Sequence, residues 1–203
     1  VKRAKFQGVL GINIGKNATT PIENAVDDYL TCLTKVYDHA SYITVNISSP
    51  NTKNLRALQS EDDWSKLLGT FKEEQARLQQ QRGRYVPMAV KIAPVLNLEE
   101  IEAIAQVVTQ VEMDGVIATN TTIDKSSLGN HPLAGEAGGL SGLPVRAQSE
   151  YVLQHLVHAL KGKLPVIGVG GIVAGQDAAT KKRFGASAVQ VYSGMIYQGP
   201  SLI

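Results

Sequence analysis

Short apolar runs alternate along the whole 203-residue chain with longer stretches in which apolar residues recur every three or four positions. The runs are Gly8 to Ile14, Tyr42 to Ile47, Val86 to Ile92, Gly115 to Ala118, Leu164 to Val169 and Ala188 to Val191. They are continuously apolar, as expected of parallel strands covered on both faces. The first intervening helix is predicted to start at a capping box, with Thr20 as N-cap, Pro21 at the first helical position and Glu23 reaching back. Val26, Leu30, Leu33 and Val36 form its apolar stripe, and Cys32 lies near that face as a packing residue. A second helix begins near Ser60 to Asp63, buries Trp64, Leu67, Leu68, Phe71 and Leu78, and closes at Gly83. Asn97 to Glu100 reads as another capping box, followed by Ile101, Ile104, Ala105 and Val108 on one face. Helices over Gln148 to Leu160, with Leu153, Leu156, Val157 and Leu160 inward, and over Gly175 to Phe184 complete the alternation.

A strand followed each time by a helix selects the α/β class. Polar residues cluster at the ends of the strands: Gly15-Lys16-Asn17, Asn46 to Thr52, Thr119 to Thr122, Gly170-Gly171 and Tyr192-Ser193-Gly194, with Lys91 just before the end of the third. A doubly wound sheet concentrates such residues at one switch point. Their spread over all six strands predicts a (β/α)8 TIM barrel, in which functional groups gather at the C-terminal strand ends. Six βα units do not close eight strands, and such barrels take about 250 residues. The sequence therefore reads as one partial barrel domain over 1–203, with two strands expected before Val1 and a final helix starting at Gly199 to Ile203.

Composition narrows the function. A net charge of +2, dispersed basic residues and 5% aromatics give no nucleic-acid footprint. The single cysteine rules out an intrachain disulfide and suits a reducing compartment. No apolar run approaches the roughly 20 residues that span a bilayer, and the first residues lack a signal-peptide core. His155 and His158 lie three apart on an amphipathic helix without a carboxylate cluster, so no metal site is expected.

Asn46-Ile47-Ser48-Ser49-Pro50-Asn51-Thr52 places amides and hydroxyls at the end of a buried strand, where they are costly unless used. Pro50 forces a turn directly after Ser49. The segment 52–59 beside it reads as a lid. Gly168-Val169-Gly170-Gly171 and Tyr192-Ser193-Gly194 follow the last two strands, where barrels commonly bind phosphate on backbone N–H groups. Val173 breaks the dinucleotide pattern, and Lys16 followed by Asn17 is not a P-loop. Lys91, a charge on a buried strand, must meet an anion, and the N1/O2 edge of a reduced flavin suits it. Asn13, Asn46, Asn51, Asn120 and Thr121 offer neutral donors and acceptors for a planar ring with amide and imide edges.

In this order, G-I-N-I-G-K-N, N-I-S-S-P-N-T, V-K-I-A-P, T-N-T-T, G-G-L-S-G, G-V-G-G-I and Y-S-G make the chain resemble dihydroorotate dehydrogenases of the membrane-associated, quinone-reducing class, in their bacterial form. The resemblance runs from Gly8 to Ile203. It implies oxidation of dihydroorotate to orotate in pyrimidine biosynthesis, with FMN as hydride acceptor and a quinone as final acceptor. By motif position it implies Ser49 as catalytic base; because a serine hydroxyl is a poor base at neutral pH, the nearby Thr52 hydroxyl and a water are the candidate relay for its proton. Asn13, Asn46, Lys91, Thr119, Gly142, Gly170, Gly171, Tyr192 and Ser193 would hold FMN, and Asn46, Asn51, Asn120 and Thr121 the pyrimidine. The soluble class carries cysteine where Ser49 stands, so the serine class is indicated. That class sits peripherally on the cytoplasmic side of the bacterial inner membrane, and its quinone and membrane contacts come from N-terminal helices outside this sequence. Two other readings stay open on sequence alone: a different FMN barrel acting on a pyrimidine, and a non-catalytic barrel fragment.

Overall fold

A computed structural model describes residues 6–49 and 61–203. Six parallel strands form one sheet in the order of the chain: β1 (Gly11–Ile14), β2 (Tyr42–Asn46), β3 (Met88–Ile92), β4 (Gly115–Ala118), β5 (Val166–Val169) and β6 (Ala188–Gln190). Between them run α1 (Ala25–Val36), α2 (Glu61–Arg82), α3 (Leu98–Gln110), α4 (Arg146–Leu160) and α5 (Gly175–Arg183), and α6 (Ser193–Gln198) follows β6. Strand order that never reverses is that of a singly wound barrel wall, not of a doubly wound sheet. The predicted α/β barrel architecture is present, with β1 and β6 as its two outer strands.

Strand side chains alternate between two environments. Ile43, Val45, Met88, Val90, Ile92, Val116 and Ala118 join the helices in the main core. The other face carries Asn13, Thr44, Asn46, Ala89, Lys91 and Ile117, and the parallel register sets Asn13 beside Thr44 and Asn46 beside Lys91. Polar groups therefore share the sheet face that the helices do not cover.

The helices follow the apolar stripes with local differences. Leu67, Leu68, Phe71 and Leu78 of α2 are buried, Trp64 and Cys32 are half-buried against the core, and Gly83 ends α2 in a left-handed conformation. The capping box at Asn97 forms: its side chain accepts from Glu100 N at 2.8 Å, and its own N–H donates to Glu100 Oε2 at 2.7 Å. Replacing Asn97 with alanine is expected to lower stability by about 1 kcal/mol, read as a shift in the denaturation midpoint.

The box predicted at Thr20 does not form. Residues Ile22–Asn24 make a 3-10 turn capped without a side chain, and α1 starts only at Ala25. Lys16 takes the carbonyls of Asn17 and Thr20, while Asn17 donates to the Asp28 carboxylate, so this loop is tied by other groups. On α4 the buried stripe uses Ser149, Val152, Leu153, Leu156 and Leu160, with Val157 only half-buried. Tyr192-Ser193-Gly194, which reads as a phosphate-binding strand end, leads directly into the short helix α6; the predicted terminal helix is a 3-10 turn over Gly199–Leu202.

Candidate active site

The end of β2 is held from three sides. Tyr29 of α1 donates its hydroxyl to the Asn46 carbonyl at 2.7 Å. Burial pushes that phenol well above its ordinary value, so it stays a donor. The Asn46 side chain accepts from Asn120 Nδ2 at 2.9 Å, which joins the ends of β2 and β4. Ser48, 3% exposed, donates to the Lys91 carbonyl at 2.6 Å and lies 3.3 Å from the same Asn120 amide. Ser48 thus fastens the end of β2 to β3, while its neighbour Ser49 is half-buried. Sequence reasoning named Ser49 and passed over Ser48; the doubled serine was the available signal, since adjacent residues in an extended segment serve opposite faces.

The Asn120 backbone is equally fixed. Its N–H donates to the Ile92 carbonyl at 2.8 Å, and its side-chain oxygen accepts from Thr121 N at 2.9 Å. With both ends of the amide engaged, its orientation is set before any ligand arrives.

A cavity of about 130 Å³ opens at the C-terminal ends of β3 to β6. Lys91, Thr119, Asn120 and Thr121 line one side. Gly142, Gly170, Gly171, Tyr192 and Ser193 line the other. Thr119 is buried and held by its N–H to the Val169 carbonyl at 3.0 Å. Ser193 donates to Ser141 Oγ at 2.8 Å and so joins the end of β6 to the loop before α4. Tyr192 is 76% exposed and stands at the rim.

Lys91 is half-buried, burial holds its ammonium below the ordinary lysine value, and no acidic partner faces it among the described residues. A cation in that position calls for an anion in the cavity. Opposite it, the N–H groups of the buried residues Gly171 and Ile172 have no hydrogen-bond partner among the described residues. Gly171 has φ +72°, and a Cβ there would come within 2.4 Å of Arg146 Cβ, so only glycine lets the turn lie this close to α4. Unpaired buried donors beside a glycine turn make an anion cradle. A cation at one end and neutral donors at the other fit a ligand carrying a phosphate and a ring that gains negative charge.

Not every predicted residue reaches this cavity. Asn13 is exposed on the outer strand β1, on the sheet face of Asn46 but outside the cavity lining. Asn46 does not line the cavity, but its side chain accepts from Asn120, which does. Asn51, Thr52 and the segment read as a lid lie outside the described residues. Sequence reasoning also missed Arg146, Ser149, Asp177 and Lys181, which support the glycine turn from behind. The spacing of Asp177, Lys181 and Phe184 on one helical face was the signal, obscured by the run Lys181-Lys182-Arg183 that reads as solvated charge.

Among the described residues, no His, Cys, Asp and Glu side chains group as a metal site, and no helix is long and apolar enough to cross a membrane.

Known proteins resemble this chain along its whole length. A "Dihydroorotate dehydrogenase (quinone)" of Neisseria meningitidis is 68% identical over 203 residues, which is all of this chain and 61% of that protein. The protein of that name from Cellvibrio japonicus is 64% identical, covering all of this chain and 59% of its own length. The chain thus spans about three-fifths of the length of the curated relatives it matches. Ligand-free DHODH from Eimeria tenella superposes with a TM-score of 0.87 at 39% identity, covering 100% of this chain and 58% of that one. With the family profile "Dihydroorotate dehydrogenase" matching residues 1–203, the chain belongs to the dihydroorotate dehydrogenase family.

Proposed function

We propose that the whole protein oxidises dihydroorotate to orotate, using FMN and passing the electrons to a quinone, and that residues 1–203 supply most of one barrel domain that holds both cofactor and substrate. The observation that carries this reading is the half-buried Lys91, without an acidic partner among the described residues, facing a cavity whose far wall is an unpaired N–H cradle. Peripheral attachment to the cytoplasmic face of a bacterial inner membrane, through a region outside this sequence, is part of the same proposal.

When bound, FMN supplies the acceptor for the hydride leaving C6 of dihydroorotate. The chain's own residues do the rest. Gly171 and Ile172, with Gly170, Gly142, Tyr192 and Ser193 around them, hold the phosphate; Asn13, Asn46 and Thr119 serve the flavin from the strand ends. Lys91 offsets negative charge on the N1/O2 edge of the reduced ring. Asn46, Asn51, Asn120 and Thr121 read the amide and imide edges of the pyrimidine. Ser49 removes the proton from C5 as hydride leaves C6, so the C5–C6 bond becomes double. A serine hydroxyl is a poor base at neutral pH, so it must release its own proton as it accepts another. Thr52 and a water provide that exit.

Asn120 already donates to Asn46, so an alanine there removes both a substrate contact and the partner that orients Asn46. Asn120→Ala is expected to raise the orotate dissociation constant roughly 10- to 100-fold, measured by titrating orotate into the flavoprotein.

A steady-state assay of the full-length protein with dihydroorotate and a soluble quinone analogue tests the reaction. Turnover with dihydroorotate, and none with dihydrouracil or dihydrouridine, is the expected result; the reverse preference would assign the site to another pyrimidine-reducing enzyme.

A further inference from the structure

A fully buried ammonium stands behind the glycine turn, and the proposed reaction does not use it. Lys181 of α5 is 0% exposed, and its Nζ donates to Ser149 Oγ at 2.8 Å. The Ser149 hydroxyl in turn lies 3.1 Å from the Gly170 carbonyl and 2.9 Å from the Arg146 carbonyl, and donates toward them. Beside it, Arg146 Nε donates to the Gly171 carbonyl at 3.0 Å. Two successive carbonyls of the turn are therefore pinned toward α4.

In a trans peptide the C=O and the following N–H point in opposite directions. Both peptides here are trans. Fixing the Gly170 and Gly171 carbonyls against α4 therefore turns the N–H groups of Gly171 and Ile172 the other way. Neither donor has a hydrogen-bond partner among the described residues. The donors owe their direction to Ser149 and Arg146, and Ser149 is held by Lys181.

Charge points the same way. The lining on this side of the cavity, from Gly142 through Gly170 and Gly171 to Tyr192 and Ser193, carries no ionised side chain. Arg146 is committed to Asp177 by an ion pair of 2.8 Å, and Asp177 Oδ2 also accepts from the N–H groups of Val173 and Ala174. The charged groups acting on Lys181 are Glu150 and Arg146 on α4 and Asp177 on its own helix. Burial brings the ammonium down to about 8, with Glu150 and Asp177 opposing that fall and Arg146 adding to it, so it stays mostly protonated at neutral pH.

We infer that Lys181 is a positioning residue for phosphate selectivity: through Ser149 it aims the N–H donors of the glycine turn, and it sets a positive charge behind an otherwise neutral cradle. This rests on the reading that the cavity binds a flavin phosphate. A phosphate dianion held by neutral donors needs charge compensation from close by, and Lys181 supplies it without occupying the cavity.

The test compares FMN with riboflavin, which lacks the phosphate, binding to deflavinated full-length protein by quenching of flavin fluorescence. The unsubstituted protein is expected to prefer FMN. K181M is expected to lose about tenfold or more in FMN affinity, with riboflavin affinity changed by less than about threefold, and inorganic phosphate is expected to compete less well. S149A keeps the charge and removes the link, so a smaller loss confined to FMN is expected; it serves as the test should K181M fail to fold. Equal losses for FMN and riboflavin, or unchanged FMN affinity, would overturn the inference and reduce Lys181 to a packing residue. If the unsubstituted protein shows no preference for FMN, the cofactor reading itself fails and this inference with it.

Discussion

Ser49→Ala is expected to slow reduction of the bound flavin by dihydroorotate about 10²- to 10⁴-fold, the contribution of a positioned base. Flavin content and orotate binding should change little, because the hydroxyl is proposed to act on the C5 proton alone. The adjacent serine cannot take over. Ser48 is buried, its hydroxyl proton is committed to the Lys91 carbonyl, and its oxygen lies against Asn120. Freeing it would unfasten the strand end that carries the site. Rapid mixing without oxygen, following flavin absorbance, isolates this half-reaction from the later electron transfer. A variant that bleaches at the normal rate would remove Ser49 as the base.

Lys91→Ala is the second large effect. Losing a charge-assisted interaction with the ring edge corresponds to roughly 10- to 100-fold in reduction rate. If the same difference stabilises the reduced ring, the two-electron potential falls by about 30 to 60 mV. The change should not destabilise the fold. Burial disfavours the Lys91 ammonium, and no acidic partner among the described residues offsets that cost. Removing the charge therefore relieves a penalty in the folded protein. Unchanged or raised thermal stability alongside impaired flavin reduction separates a functional lysine from a structural one. Normal FMN binding and a normal rate would end the role given to Lys91.

The sheet was legible because its strands are short apolar runs, and the fourth was located to the residue at Gly115–Ala118. Polar strand ends gave most of the cavity lining, since Lys91, Thr119 to Thr121 and the late glycines cannot be explained as core. Three kinds of feature escaped. Caps depend on competing partners: Asn97 met Glu100 as its spacing implies, whereas Thr20 lost its carbonyl to Lys16 and its helix started later. Supporting residues looked ordinary, because Ser48 and Ser149 are small hydroxyls whose importance comes from which carbonyl they hold. Lys181 was hidden for the opposite reason. It sits in a basic run that composition assigns to solvent, and only its helical phase, four residues after Asp177, turns it inward.

These strand ends are proposed to form a flavin site that accepts electrons from dihydroorotate. The direct measurement is anaerobic titration of the purified full-length protein with dihydroorotate, with the absorbance of the bound flavin as readout. The predicted result is bound FMN that is bleached by about one equivalent of dihydroorotate per flavin, with orotate as product. A protein without flavin, or a flavin that dihydroorotate leaves oxidised, would contradict it.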